Sequence, residues 1–172
     1  MNRHHKGFTL IELMTALTVL GVLLAMAVPS FREFTRSNRV TAAQNDLVTA
    51  FTLARSEALK RGTPVTVCAS SDGVACSGAT DWATGWIVFS DGNGTAGTID
   101  AGDEALQRWS GANSDLTVTG TDSFLRYTAT GMVSPVVATA FDVYATGCTG
   151  EKMRRVGVSP IGLVAATLQA CP

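Results

Sequence analysis

The spacing of hydrophobic and polar residues divides the chain into three stretches. From Leu13 to Phe31 no side chain is charged, and an apolar run of this length fits a helix that crosses a bilayer, which takes about 20 residues. From Phe31 to Arg61 apolar residues recur at helical spacing between polar ones, which predicts an amphipathic helix continuous with the first. Beyond Gly62 the period becomes that of strands, in short segments separated by glycine-rich turns.

The amphipathic stretch is predicted to place one apolar stripe in a core. Pro29 lies between the two helical patterns and is expected to kink the helix rather than to end it. Lys60, Arg61 and Gly62 form a helix-end signal, with basic residues in the last turn and glycine after it. The stripe comprises Phe31, Phe34, Val40, Ala43, Leu47, Ala50, Phe51, Ala54 and Ala58. We interpret it as core and assign it no ligand.

The stretch from Gly62 to Pro172 predicts an antiparallel β domain. Alternating residues and turn signals indicate short strands, which we expect to form two small sheets wrapped on the second half of the helix. The predicted strands are Val65–Cys68, Gly85–Phe89, Leu106–Trp109, Leu116–Thr119, Phe124–Tyr127, Ala140–Tyr144, Arg154–Val158 and Leu163–Leu168. The predicted fold class is therefore α+β, a long N-terminal helix packed on a C-terminal β domain.

Composition narrows the chemistry that the chain can perform. Its 172 residues suffice for one domain with a modest core in addition to the apolar helix. Residues 62–172 hold five basic and ten acidic residues, so this part is a poor general binder of polyanions. Both histidines, His4 and His5, precede the apolar run, which leaves no histidine for a catalytic triad or a histidine metal site beyond it. We expect no enzyme activity, no metal and no cofactor.

The residues before the apolar run form a recognisable motif. A basic segment, Arg3 to Lys6, ends in Gly7, and one carboxylate, Glu12, lies near the start of the apolar run. A lone acid in such a span costs about 3 kcal/mol on insertion scales, so Glu12 is expected to be functional. A signal peptide or simple anchor is the alternative, but no small-residue cleavage site follows the run. The segment Gly7-Phe8-Thr9-Leu10-Ile11-Glu12 resembles the processing site of type IV prepilins and type II secretion pseudopilins.

This resemblance implies a processing pathway and a location. A membrane prepilin peptidase would cleave between Gly7 and Phe8, the new Phe8 terminus would be N-methylated, and Glu12 would pair with the terminal amine of a neighbouring subunit. The implied parts are a leader (residues 1–7, removed), a transmembrane helix (8–30), an amphipathic stem helix (31–61) and a periplasmic head (62–172). The protein would be a single-pass protein of the inner membrane that enters a pilus fibre at the cell surface. Its partners would be other major and minor pilins, the peptidase and the inner-membrane assembly platform.

The head resembles the GspH/FimT class of minor pilins. The resemblance rests on Trp82, the segment Gly85-Trp86-Ile87-Val88-Phe89, and the acidic and glycine residues from Asp91 to Leu106. It continues in the closing segment from Val156 to Gly162, before a final cysteine. It implies a structural subunit that helps to initiate pilus assembly. A pseudopilin of a type II secretion system is the alternative, and the cysteine pair near the C-terminus favours the pilus subunit.

Four cysteines allow three disulfide connectivities. The basic leader stays cytoplasmic by the positive-inside rule, so the head lies in an oxidising compartment. Each of the pairs Cys68–Cys76 and Cys148–Cys171 closes a short loop around a predicted turn, and we favour these two. Free buried thiols are the alternative, and the lack of a C-x-x-C segment argues against zinc.

Lys152, Arg154 and Arg155 form the basic cluster of the head and suggest a second hypothesis, a pilin that binds DNA for uptake in natural transformation. Some members of the resembled class bind DNA through a Gly-Arg-x-Arg motif after the Ser-Pro turn. The matching positions here, Gly162-Leu163-Val164-Ala165, lack both arginines, and each loss removes a bidentate phosphate donor. Arg154 and Arg155 are adjacent, so in a strand they face opposite ways.

Two further features have simple structural interpretations. The oxygen-rich stretch Asp91–Glu104 could suggest calcium, but Ala96 and Gly102 occupy positions where an EF-hand needs glycine and glutamate. We interpret it as a hairpin loop kept soluble by acids. Trp82, Trp86 and Trp109 could form a recognition surface, but in a small domain such residues more often fill the core.

Overall fold

A computed structural model describes residues 7–111 and 115–172, except for the side chain of Pro29. The leader residues Arg3, His4, His5 and Lys6 lie outside the described residues. The chain forms two compact units, Met1–Arg36 and Ser37–Pro172, called here the first and the second unit. One helix, α1, spans Leu10–Arg61, 52 residues. It continues through Pro29 as expected, and the kink there stays a prediction.

Both ends of α1 have local causes in the sequence. At its start the Thr9 hydroxyl accepts a hydrogen bond from the backbone N–H of Glu12 at 3.3 Å, which makes Thr9 the N-cap. At its end Gly62 adopts a φ of 65°, and its N–H donates to the Ala58 carbonyl at 3.0 Å. Glycine takes this left-handed conformation without strain, so the predicted end signal works as proposed.

Two antiparallel sheets follow, both in the second unit. The first has the strand order β3-β2-β1-β5-β6 and the second the order β4-β7-β8-β9. The strands are β1 Val65–Ala69, β2 Gly85–Ser90, β3 Ala105–Ser110, β4 Leu116–Gly120, β5 Phe124–Tyr127, β6 Val133–Ser134, β7 Thr139–Ala145, β8 Met153–Val158 and β9 Val164–Gln169. Every predicted strand is present within two residues of its expected bounds. The two-residue strand β6 was not predicted, because a pair of residues before a proline carries no periodicity.

The core of the second unit joins α1 to both sheets. Phe51 on α1 contacts Phe141 of β7, with ring centroids 4.7 Å apart, and Trp82, at 6.2 Å. The helix residues in this core are Val40, Ala43, Leu47, Ala50, Phe51, Ala54 and Ala58. The prediction was wrong for Phe31 and Phe34, which are 70% and 63% exposed. Both lie in the first unit, so helical spacing alone extended the stripe too far towards the N-terminus.

The turn after β4 carries the chain from one sheet to the other. Trp82 donates its indole N–H to the carbonyl of Asp122 in this turn, at 3.0 Å. A Cβ at Gly120 would lie 2.7 Å from that indole nitrogen and 2.8 Å from the Phe141 ring. Glycine is therefore required where the chain passes against the core.

Candidate functional site

The predicted processing segment lies in accessible backbone immediately before α1. Gly7, Phe8 and Thr9 precede the helix, and Phe8 is 83% exposed. Thr9 and Glu12 occupy the first and last positions of a capping-box pattern, Ser/Thr-x-x-Glu. We did not predict this role of Thr9, although the pattern could have revealed it. The Gly7–Phe8 peptide bond is therefore accessible and lies just before a helix that Thr9 caps.

The first unit exposes apolar side chains on all faces of the helix. Its most apolar window has a mean hydropathy of 2.2 and none of it is buried. A helix that is apolar all round is stable only inside an apolar environment. The exposed large side chains from Phe8 to Phe34 are Phe8, Leu10, Ile11, Leu13, Met14, Leu17, Val19, Leu20, Val22, Leu23, Leu24, Met26, Val28, Phe31 and Phe34. This surface requires a bilayer or other helices around it.

Arg55 ties α1 to two loops of the head. Its Nε donates to the Gly131 carbonyl at 3.1 Å, and an Nη donates to the Ile161 carbonyl at 3.2 Å. Gly162 is buried at a φ of 81°, and a Cβ there would overlap the Gly131 carbonyl oxygen. The sequence gives no signal for these contacts, because nothing in the helical spacing indicates which carbonyls a loop brings near.

Two more arginines of α1 pair with acids of the head. Arg39 reaches Asp115 at 3.0 Å, and Arg61 contacts both Glu57 and Glu104 at 2.7 Å. The hydrogen bond from Arg61 holds the pKa of Glu57 below its usual value. These pairs are open to solvent, which screens their attraction, so each adds little to stability. They orient the stem within the second unit more than they stabilise it.

The structure contains the two disulfides expected from the sequence. Cys68–Cys76 has a Cα–Cα distance of 5.6 Å, and Cys68 is fully buried beside Ile87 and Phe89. Cys148–Cys171 has a Cα–Cα distance of 5.7 Å. Beside it the N–H of Cys171 donates to the Gly150 carbonyl at 2.8 Å. The second bridge fixes the segment that follows β9, and the first closes the loop after β1.

The structure disperses the basic cluster. Arg155 donates two hydrogen bonds, both of 2.7 Å, to the two carboxylate oxygens of Asp142 on the neighbouring strand. These bonds raise the pKa of Arg155 and offset its charge locally. Arg154 precedes Arg155 in β8 and faces the other side of the sheet. Lys152 precedes the strand and is exposed. Arg154 and Arg155 therefore do not share one face.

The acids of the stretch Asp91–Glu104 bind the backbone of their own loop. Asp91 is fully buried and accepts hydrogen bonds from the Thr66 hydroxyl at 2.5 Å and from the Gly97 N–H at 3.1 Å. The Arg126 Nε lies 3.3 Å from the same Asp91 oxygen. Asp100 and Asp103 accept backbone N–H groups at 2.7 and 2.9 Å. Within residues 7–111 and 115–172, no group of three or more histidines, cysteines or acids is placed to hold a metal.

The tryptophans lie mainly in the core. Trp82 and Trp86 are buried, as predicted, and Trp109 is half-buried against Trp86 with ring centroids 6.4 Å apart. The interpretation as a recognition surface therefore fails for Trp82 and Trp86.

A long helix with an exposed apolar half, joined to an antiparallel β head, defines the class of type IV pilin-like proteins. This chain belongs to the GspH family, described as type II transport protein GspH, whose model matches residues 43–162. The model of the prokaryotic N-terminal methylation motif matches residues 2–28. The predicted fold and the resemblance to minor pilins of the GspH class are thereby confirmed.

Solved structures give the same class. The type IV minor pilin FimU of Pseudomonas aeruginosa is similar over 81% of this chain and 92% of its own, with a TM-score of 0.58 and 26% identity. The minor pseudopilin EpsH of the Vibrio cholerae type 2 secretion system is similar over 77% of this chain and 97% of its own, with a TM-score of 0.51. Its identity is 12%, so it shows the fold alone.

The curated relatives match a smaller part of this chain than the solved structures do. A fimbrial protein of Neisseria meningitidis is 36% identical over 78 residues, which are 42% of this chain and 46% of that protein. A fimbrial protein of Pseudomonas aeruginosa is 40% identical over 55 residues, 32% of this chain and 36% of that protein. The chain thus spans less than half the length of these relatives.

Proposed function

We propose that this chain is a minor pilin, a structural subunit that takes part in the assembly of a type IV pilus. The observation that carries the proposal is the apolar helical stretch of the first unit, none of which is buried; it follows the Gly7–Phe8 segment, and the chain continues into a head similar to that of FimU. The match to EpsH shows the fold alone, and the family description, type II transport protein GspH, keeps a type II secretion pseudopilin as the less favoured alternative. No enzymatic role is proposed.

The first step of the proposed mechanism is processing. Prepilin peptidase cleaves the bond between Gly7 and Phe8, which lies in exposed, non-helical backbone. A Cβ at Gly7 would meet nothing within 4 Å, so the need for glycine there comes from the peptidase and not from packing in this chain. Cleavage removes the basic leader and leaves Phe8 with a new amine, which is then methylated.

The second step is docking through Glu12. The Thr9 hydroxyl satisfies the N–H of Glu12, and the carboxylate has no hydrogen-bond partner among the residues that the structure describes. In an apolar bundle of pilin helices, a carboxylate and the Phe8 amine of a neighbouring subunit attract strongly. An unpaired buried charge is expensive, so the pair also selects one register between subunits.

The third step is placement at the membrane. The exposed apolar helix spans the inner membrane once, the head lies in the periplasm, and the assembly platform moves the subunit into the fibre with other pilins. The two disulfides agree with an oxidising compartment. Arg155 is held by the Asp142 carboxylate, and acidic residues outnumber basic ones in the head, so neither observation supports the DNA-uptake hypothesis.

The test uses the full chain in a piliated host that lacks its own copy. Mass spectrometry of the purified chain should show that it begins at a methylated Phe8. The Glu12→Ala variant should be cleaved and keep both disulfides, but its amount in sheared fibres should fall about tenfold, since a lost interaction of 1.4 kcal/mol has that effect.

Glu12→Asp keeps the charge and serves as the matched control, which should retain most of the incorporation. Normal incorporation of Glu12→Ala would remove the assigned role of Glu12. If the chain is absent from fibres and protein secretion depends on it, the proposed role in a pilus would be wrong, and a role in a type II secretion system would take its place.

A further inference from the structure

Three of the four sheet edges in the described part of the chain are protected. β4 is covered by the segment around Trp82, because the backbone N–H of Trp82 donates to the Val118 carbonyl at 2.7 Å and the backbone N–H of Gly120 donates to the Thr80 carbonyl at 2.9 Å. β6 has two residues, is followed by Pro135, and donates the Val133 N–H to the Pro160 carbonyl at 3.0 Å. Shortness, proline and covering segments are the devices by which proteins block edge-to-edge pairing.

β3 is protected in two further ways. Its register with β2 shifts between Val88 and Phe89, and such an irregularity twists an edge away from new partners. It also carries an exposed charge, Arg108, whose Nε donates to the Gly73 carbonyl at 2.5 Å. A charged edge resists pairing with a second strand.

The β9 edge has none of these protections. Its six residues, Val164–Gln169, contain no charge, proline or glycine. Its register with β8 is continuous from Met153–Gln169 to Val158–Val164. All of it is exposed except Val164, which is half-buried, and Leu168 is 48% exposed. Among the described residues it pairs with β8 alone.

The pairing with β8 fixes which backbone groups of β9 point outward. The Ser159 N–H donates to the Leu163 carbonyl at 2.9 Å, so Ser159 and Leu163 form a hydrogen-bonded pair. Residues alternate along an antiparallel ladder between groups that face the partner strand and groups that face away. Residues 165, 167 and 169 therefore bond to β8, and the N–H and C=O groups of Val164, Ala166 and Leu168 face the open edge.

We propose that the β9 edge is a docking surface for a second copy of this chain, with the two β9 strands antiparallel and Ala166 on the two-fold axis. In this register Val164 lies opposite Leu168 of the other copy, and Ala166 lies opposite Ala166. Each facing pair forms two backbone hydrogen bonds. This arrangement joins the β4-β7-β8-β9 sheet of one copy to the same sheet of the other copy, so that the two form one continuous sheet.

The side chains of β9 are self-complementary in this register. Val164, Ala166 and Leu168 lie on one face of the strand, so that face meets only apolar residues of the second copy. On the other face Ala165 meets Thr167. No like charges oppose each other, and opposed like charges are what usually prevents self-pairing of an edge. A two-fold contact of this kind closes after two copies.

The test measures the mass of the detergent-solubilised full chain by sedimentation over a range of concentrations. The unmodified chain should form a concentration-dependent dimer. Ala166→Lys and Ala166→Glu each place two like charges opposite one another on the axis, so each should be at least tenfold weaker in self-association. A mixture of the two variants places opposite charges there and should restore the dimer. Val136→Lys, at a residue 62% exposed outside β9, is the matched control and should dimerise normally.

A monomer at all concentrations would overturn the proposal. So would a dimer that forms equally well with Ala166→Lys alone, since it would be held by the apolar helix. Failure of the mixed variants to dimerise, while the unmodified chain does, would reject the two-fold register. Because the readout is self-association, the proposal can fail without affecting the proposed pilus role, and the reverse also holds.

Discussion

At the scale of single residues, two buried polar groups of the head differ in how they are satisfied. Asp91 is fully buried and holds Thr66, Gly97 and Arg126 around one carboxylate oxygen, while its other carboxylate oxygen has no hydrogen-bond partner among the residues that the structure describes. Tyr127 is also fully buried, and its hydroxyl has no hydrogen-bond partner among residues 7–111 and 115–172. An unsatisfied buried hydroxyl costs about 1–3 kcal/mol, so the unpaired hydroxyl of Tyr127 lowers the stability of the head.

We therefore predict that Tyr127→Phe stabilises the second unit by about 1 kcal/mol, because it removes the unsatisfied hydroxyl and keeps the ring. The measurement is urea unfolding of residues 37–172 at neutral pH. Tyr144→Phe, at a half-buried position of β7, is the control and should change the free energy of unfolding by less than about 0.5 kcal/mol. A loss of stability in Tyr127→Phe would mean that the hydroxyl is satisfied in solution.

The same tyrosine predicts a dependence of stability on alkaline pH. Burial raises the pKa of Tyr127 above its ordinary value, more than the nearby Arg55 lowers it. As pH rises above about 10, the unfolded tyrosine loses its proton before the folded one does, so the free energy of unfolding falls. Tyr127→Phe should lose this part of the decline. Parallel pH curves for the two proteins would show that Tyr127 is not responsible.

At the scale of elements, residue spacing predicted where the helix and strands lie, but not which parts of them are covered. The end of α1 at Arg61 and most strand bounds follow from local signals such as Gly62 and period-two alternation. Phe31 and Phe34 fit the helical period as well as Val40 does, yet they are exposed. The contacts of Arg55 with Gly131 and Ile161 depend on loops distant in sequence, so no local pattern could reveal them.

The packing of α1 on the sheets predicts a large effect of one substitution. Phe51 is fully buried between Phe141 and Trp82, so Phe51→Ala should destabilise residues 37–172 by about 3–5 kcal/mol through lost burial and a cavity. Thr52→Ala changes the neighbouring exposed position and should alter stability by less than about 0.5 kcal/mol. Urea unfolding of both variants checks this. A cost below about 1 kcal/mol for Phe51→Ala would show that the head folds without the stem.

At the scale of the whole molecule, the distribution of charge decides between the structural role and DNA uptake. The head carries ten acids against five basic residues. Arg155, Arg126 and Arg108 already hold Asp142, Asp91 and the Gly73 carbonyl. Non-specific DNA binders have dissociation constants of about 1–100 μM at physiological salt and depend on several free cations. The head has few cations left for phosphates.

We therefore predict that residues 37–172 show no saturable binding to duplex DNA below about 100 μM at low salt. Micromolar, salt-sensitive binding that is lost when Lys152, Arg154 and Arg155 are neutralised would instead establish the DNA-receptor hypothesis.

Leu163 and Ala165 are both exposed, so Leu163→Arg with Ala165→Arg restores the missing arginines without disturbing the core. This variant should gain DNA binding with a logarithmic salt slope of about −2, as expected for two phosphate contacts. Val136→Arg with Val137→Arg adds the same charge at exposed positions elsewhere, and an equal gain there would mean that net charge, not the position after the Ser-Pro turn, controls binding.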